Sequence, residues 1–207
     1  MENHSSAISR QAILHYLHKS HVETRFPPRT TPQIIEVQIR ESIQSWKLNV
    51  PEDVYQKCLP VALGIVYAAY QHTSQDLQVA ISLFSFCAIL VDSAIWVDIQ
   101  TMREFVTHVC TGNSQVHPIL DRLLQTTTAL RQFFPEYAAN ILYPALLSYI
   151  NEEVYCAGEA EQLVLNPKAK RYLDYSRLKG GIPEPYVISI WPQDICPDLA
   201  EYIQAIP

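Results

Sequence analysis

The residues able to do chemistry are scattered, and most fail the spacing tests that would join them into a site. Seven histidines (His4, His15, His18, His21, His72, His108 and His117) form no His-Glu-x-x-His pattern. His15 and His18 have helical spacing but no third ligand beside them, so they read as surface histidines. The five cysteines (Cys58, Cys87, Cys110, Cys156 and Cys196) are odd in number and never spaced as Cys-x-x-Cys. They read as reduced core residues, not as a disulfide framework or a zinc site. No Gly-x-Ser-x-Gly elbow occurs, and no cysteine has a base close by in sequence. Asp92 and Asp98 follow the most apolar stretch of the chain, Val79 to Val91. They are six positions apart, so they do not share a helical face at i,i+3 or i,i+4. Asp92 reads as a helix-end aspartate, open to solvent or paired to a base. Arg177 and Lys179 precede Gly180-Gly181, where Lys179 complements the negative end of a helix dipole.

The elements that must position these residues read as helices nearly throughout. Ser5 or Ser6 caps a first helix carrying Ile8, Ile13, Leu14 and Leu17, and a proline-rich link follows from Phe26 to Pro32. Thr31 before Pro32 is a start signal for a second helix with Ile34, Ile35, Val37, Ile39 and Ile43. Pro51 opens a helix running to Tyr70, which Pro60 should kink. Ser74 or Asp76 caps the next, Leu77 to about Trp96. It is apolar on every side, as a helix in the middle of a large helical protein would be. Further helices are expected at Ile99–Cys110, Pro118–Phe133 and Glu136–Gln162, the last containing Pro144. Asn166-Pro167 is a break, Lys168–Lys179 a charged helix stopped at Gly180-Gly181, and Ile182–Ile190 a proline-opened helix. A final helix begins at about Asp198 and is interrupted at Pro207.

Composition limits the function classes. The chain has 207 residues, 48% of them hydrophobic and 17% charged, which suits one large domain or two small ones, with a sizeable core. A net charge of −6 gives no basic face, so nucleic acid is not an expected partner. Five glycines, with neither Gly-x-Gly-x-x-Gly nor a Walker sequence, argue against a phosphate-cradling loop. Met1 to Arg10 has no apolar stretch of the secretory kind, and Val79 to Val91 is too short to span a membrane. With reduced cysteines, the expectation is a cytoplasmic protein without a membrane span.

Three segments carry a resemblance. Phe86 to Phe105 (FCAILVDSAIWVDIQTMREF) looks like a helix bearing an aspartate-rich motif and the helix after it. Arg171 to Asp194 (RYLDYSRLKGGIPEPYVISIWPQD) looks like an Arg-x-Lys-x-Gly segment followed by a helix ending in an aromatic-Pro pair. Asp198 to Pro207 (DLAEYIQAIP) looks like the start of a later helix. In this order, and with the long helix around Ile141–Gly158, they resemble the trichodiene synthase family of fungal class I sesquiterpene cyclases from about Pro51 onward.

The resemblance implies an all-α, class I terpenoid synthase-like bundle around an apolar cavity, as one domain over residues 1–207. It implies farnesyl diphosphate as the substrate, Mg²⁺ as the cofactor, and ionisation followed by cyclisation as the reaction. Asp92 corresponds to a metal-binding aspartate, and Arg177 with Lys179 to the diphosphate-binding basic segment. Trp96, Phe84, Phe86, Tyr149 and Tyr186 are candidates for the cavity wall. The pattern also departs from the family. Val91 stands where the leading aspartate should be, and the downstream acidic positions fall on Ile95 and Trp96. Asp98 is displaced from them by about half a helical turn. The Asn-Asp-x-x-Ser-x-x-x-Glu motif and a C-terminal Arg-Tyr pair do not occur, so the chain is expected to be C-terminally incomplete. The expected activity is an impaired terpene cyclase, with no catalytic residue assigned. The alternatives are a non-catalytic homologue that assists a full-length cyclase, associates with its own copies or binds a terpene product, and a truncated product with little function.

Overall fold

The computed structural model describes residues 11, 33–92, 97–158, 168–169, 171–180, 182–198 and 200. The chain divides into two compact units, Met1–Thr31 and Pro32–Pro207. In the first, only Gln11 is described, and it is helical. The expected helix after Ser5 or Ser6, the link from Phe26, Trp96, the Asn166-Pro167 break and most of the last helix lie outside the described residues.

The second unit is all-α among its described residues. Its elements are α1 (Gln33–Ser45), α2 (Glu52–Ala69), α3 (Gln75–Asp92), α4 (Ile99–Thr111), α5 (Pro118–Leu130), α6 (Glu136–Gly158), α7 (Tyr172–Gly180) and α8 (Pro183–Ile188). Local chemistry explains most boundaries. Ser74, not Asp76, caps α3 by accepting from the Leu77 N–H at 3.3 Å. His117 caps α5 through Nδ1, with Pro118 at the first helical position. Gly112 ends α4 with a left-handed φ of 72°, which a glycine adopts without a Cβ penalty. The expected helix to Phe133 instead ends at Leu130 and tightens into a 3-10 turn, Arg131–Phe133.

Both interior prolines are tolerated because they face water. Pro60 in α2 and Pro144 in α6 are exposed, as are Gln56 and Asn140. The carbonyls that lose their helical donors, those of Gln56 and Asn140, therefore have solvent within reach.

Packing sorts the helices around two hubs. The first is α3, buried on nearly all sides and packed on α5, α2 and α1. It has the length and hydropathy of a membrane span, but 61% of that window is buried inside the protein, as expected for a core helix. The second hub is α6, packed on α4, α7, α8 and α5. On α3, Phe86 is fully buried and meets the Tyr55 ring of α2 edge-on at 5.8 Å. Ile35, Ile39 and Ile43 recur at every fourth position of α1 and form its buried face. Phe86→Ala should lower the unfolding free energy by about 3–5 kcal/mol, read from urea midpoints. A loss below about 1 kcal/mol would show that this ring does not anchor α3 to α2.

Candidate functional site

The end of α3 meets the middle of α6, and carboxylates gather there. Asp92 is the last residue of α3 and is exposed. Opposite it, Tyr149, the adjacent Glu152 and Glu153, and Cys156 lie on one side of α6, because both acids are three or four positions from Tyr149 and from Cys156. Tyr149 reaches across and donates to the Ala88 carbonyl, one turn before Asp92, at 2.8 Å. Glu152 is buried and accepts from the Ser176 hydroxyl of α7 at 2.5 Å. Gly180 lets α7 lie this close, because a Cβ there would come within 3.0 Å of the Glu152 Cγ.

Electrostatics records the crowding. Burial is the main reason that Glu153 is pushed up to about 7, and the charges of Asp92 and then Glu152 push it further. Burial also raises the Tyr149 phenol, with Glu153 and Asp92 adding to it, so this hydroxyl stays protonated as a donor. The Cys156 thiol is raised by burial and by Glu152, Glu153 and Asp92, so it is not an activated nucleophile.

The sequence-derived candidates separate in space. Asp92 lies at the carboxylate cluster. Arg177 is exposed on α7, and Lys179 holds its ammonium 5.9 Å from the Tyr175 ring. Successive helical residues turn by roughly 100°. Ser176 and Gly180 face Glu152, so Arg177 and Lys179 flank that inward face on either side. Among the described residues, no hydrogen bond or ion pair joins Arg177 or Lys179 to Asp92, Glu152 or Glu153. Asp98 belongs elsewhere. It is the N-cap of α4, accepting from the Thr101 N–H at 2.9 Å and the Thr101 hydroxyl at 2.6 Å. Those bonds hold its carboxyl below the usual range. Val91 is fully buried, so the position expected to hold a leading aspartate faces the core. Phe84, Phe86 and Tyr149 are packed interior side chains, whereas Tyr186 is half-buried.

Glu152 and Glu153 were not legible as site residues in the sequence. The available signal was weak: two adjacent acids in a long helix whose described buried residues are otherwise apolar. Among the described residues, no three His, Cys, Asp or Glu side chains are grouped to hold a metal. The charge of Asp92 nonetheless acts on Glu153, and both carry hard-oxygen groups. Mg²⁺ commonly takes one or two carboxylates and fills its other positions with water and phosphate oxygens. The described acids do not build a metal cage from protein alone, and a Mg²⁺ held there would have to draw its remaining ligands from water and phosphate oxygens. Away from this cluster, a groove of about 480 Å³ runs between α1, α3 and α5, floored by Val79, Ala80, Leu83 and Phe133.

No protein-family model matches the chain. It is 26% identical to Terpene synthase 29 of Postia placenta over 202 residues, which cover 96% of this chain and 57% of that protein. It is 24% identical to Monoterpene synthase 25 of the same fungus, over 90% of this chain and 55% of that one. It is 25% identical to Terpene synthase BipA of Cochliobolus sativus, over 94% of this chain and 58% of that one. Its relatives are fungal terpene synthases. The chain spans a little over half the length of these terpene synthases.

The raised carboxyl of Glu153 has a defined pH signature. Its folded pKa of about 7 lies above the ordinary 4.5, so its contribution to stability is full below about pH 4.5. That contribution is lost as pH rises through about 7. The stability difference between the wild type and Glu153→Gln should therefore move against the wild type across this window, as read from urea midpoints. A pH-independent difference would contradict the raised pKa. In carboxyl NMR titrations, Asp92→Asn should lower the Glu153 pKa without restoring the ordinary value, because burial persists.

Proposed function

We propose that this chain is a terpene cyclase-like protein of the trichodiene synthase type, binding a prenyl diphosphate such as farnesyl diphosphate where α3, α6 and α7 meet. One observation carries the reading: Tyr149 donates to the Ala88 carbonyl, which brings the end of the central helix and Asp92 against the acid-bearing part of α6, in a chain whose relatives are terpene synthases. Asp92 and Glu153 would hold Mg²⁺ together with the phosphate oxygens. When bound, Mg²⁺ supplies neutralisation of the charge that develops on a departing diphosphate. Arg177 and Lys179 flank the same helix surface and supply long cationic side chains, the arginine with a fork suited to phosphate oxygens. Glu153 keeps its proton until about pH 7 and must release it to act as a ligand.

The same geometry argues for weak turnover. Val91 contributes no carboxylate and is packed into the core, so placing an ionised aspartate there would desolvate a charge. We therefore read the chain as a cyclase of low activity, or as a non-catalytic homologue that assists a full-length cyclase or binds a terpene product in sesquiterpene biosynthesis. Its five cysteines are unpaired, which suits the cytoplasm.

Titration with farnesyl diphosphate and Mg²⁺ should show saturable, Mg²⁺-dependent binding. Asp92→Ala should weaken it by roughly tenfold or more, on the scale of a lost charged contact of about 1.5–3 kcal/mol. Arg177→Ala should weaken binding both with and without Mg²⁺. Affinity unchanged in both variants would remove this site. Hydrocarbon products at rates typical of enzymes, about 1 per second or faster, would overturn the impaired-turnover reading.

A further inference from the structure

Helices α1 and α5 both pack on α3, and between them Val79, Ala80 and Leu83 stay half-buried as the floor of the groove of about 480 Å³. A second recess of about 380 Å³ continues it past Gln132 and Phe133 to Gln193 and Asp194. The rims are acidic. Glu41, Asp76 and Asp194 line the two recesses and are exposed, and no Lys, Arg or His lines either one among the described residues. The opposite character appears on α7. Residues 168–180 hold five of the chain's 15 Lys and Arg and one acid, Asp174, so this segment is basic in a chain of net charge −6. Ser176 and Gly180 face Glu152 of α6. Leu178 is turned by roughly 200° from Ser176 and so points away from α6. It is 50% exposed, and Tyr175, three positions before it on the same side of the helix, is 59% exposed. Arg177 and Lys179 flank this apolar pair.

We propose that the groove receives α7 of a second copy of this chain, in a head-to-tail contact. This goes beyond the prenyl-diphosphate reading and does not rest on it. Tyr175 and Leu178 are the anchors, spaced as an amphipathic helix presents them to an apolar groove. They cover Val79, Ala80 and Leu83, while Arg177 and Lys179 meet the acidic rims. The lengths agree: at 1.5 Å per residue, α7 spans about 14 Å and the floor from Asp76 to Leu83 about 12 Å. Charge selects the partner. Copies with a net charge of −6 repel one another in general, and a basic strip against an acidic rim offsets that repulsion. The groove and α7 are different surfaces, so a copy whose groove is filled still offers its own α7, and copies add in a row or close into a ring. One short helix face buries less than the roughly 1,200 Å² of stable complexes, so the association is weak, with a dissociation constant on the order of 100 µM. Arg177 and Lys179 serve the neighbour's acids in the associated chain and are left for a diphosphate in the free one.

Sedimentation velocity of the full chain, without Mg²⁺ or diphosphate, tests this contact apart from the prenyl-diphosphate reading. Between about 10 µM and about 1 mM the wild type should pass from monomer to dimer and larger species. Raising NaCl from about 50 mM to about 500 mM should weaken the association at least threefold. Leu178→Asp removes an apolar anchor, and the double change Glu41→Lys with Asp76→Lys reverses the rim. All three positions are exposed, and each variant alone should stay monomeric. An equimolar mixture of the two should form a one-to-one dimer and nothing larger, because each pair holds one intact groove and one intact α7. A wild type that stays monomeric to about 1 mM overturns the proposal and leaves the groove to another occupant. Association that salt or either variant leaves unchanged overturns it as well. A mixture that stays monomeric does the same, since a symmetric contact would give that result. If Leu178→Asp fails to fold, Tyr175→Ser takes its place with the same outcomes.

Discussion

A single buried hydroxyl ties the two hubs of the bundle at the point that matters. Tyr149 of α6 donates to the Ala88 carbonyl of α3 across 61 positions of sequence. Around α3 stand α1, α2 and α5, and around α6 stand α4, α7 and α8. The bond brings the last turn of α3 against the middle of α6, and the side of α6 that presents Tyr149 also presents Glu152 and Glu153. Tyr186 makes a parallel tie to Ser85, and Tyr70 carries that tie on to α2. Each of these hydroxyls is buried or half-buried and each has a partner. Satisfied bonds of this kind fix one arrangement, because a slipped one would leave polar atoms stranded in a low-dielectric interior.

The carboxylate cluster follows from that docking. Asp92 is held at a helix end opposite Glu153, and Glu152 is pinned by Ser176 under the close approach that Gly180 permits. Burial, and after it the charges of Asp92 and Glu152, disfavour the ionised form of Glu153, which keeps its proton to about pH 7. A cation arriving with phosphate oxygens would reverse that balance. Arg177 and Lys179 lie on the flanks of α7, to either side of the face that Ser176 and Gly180 turn toward Glu152. At this junction Val91 and Tyr149 are both buried.

Much of the architecture was readable before any coordinates. The α3 helix announced itself as central because it is apolar around its whole circumference, and it is buried in that way. The start signal at Pro51 and the stop at Gly180-Gly181 act within one helical turn and so appear directly in local sequence. The site was less legible. That Asp92 ends a helix was readable from its place after the apolar run. Asp98 looked like a displaced ligand and is a cap, although the Asp98-x-x-Thr101 spacing carries that role locally. Glu152 and Glu153 could not be picked out, because two acids in a 23-residue helix look the same whether they face water or another helix.

Sequence by itself determined the all-helical fold, the order of the helices and the central place of α3, since periodicity, capping and proline placement are short-range effects. Only the tertiary structure decided which acids come under the influence of Asp92, that Val91 turns into the core, and that Tyr149 bonds back to Ala88. Those outcomes depend on contacts between residues far apart in the chain, such as Ala88 with Tyr149 and Glu152 with Ser176. Which side chains meet there is settled by how the helices pack against one another, and no single helix encodes it.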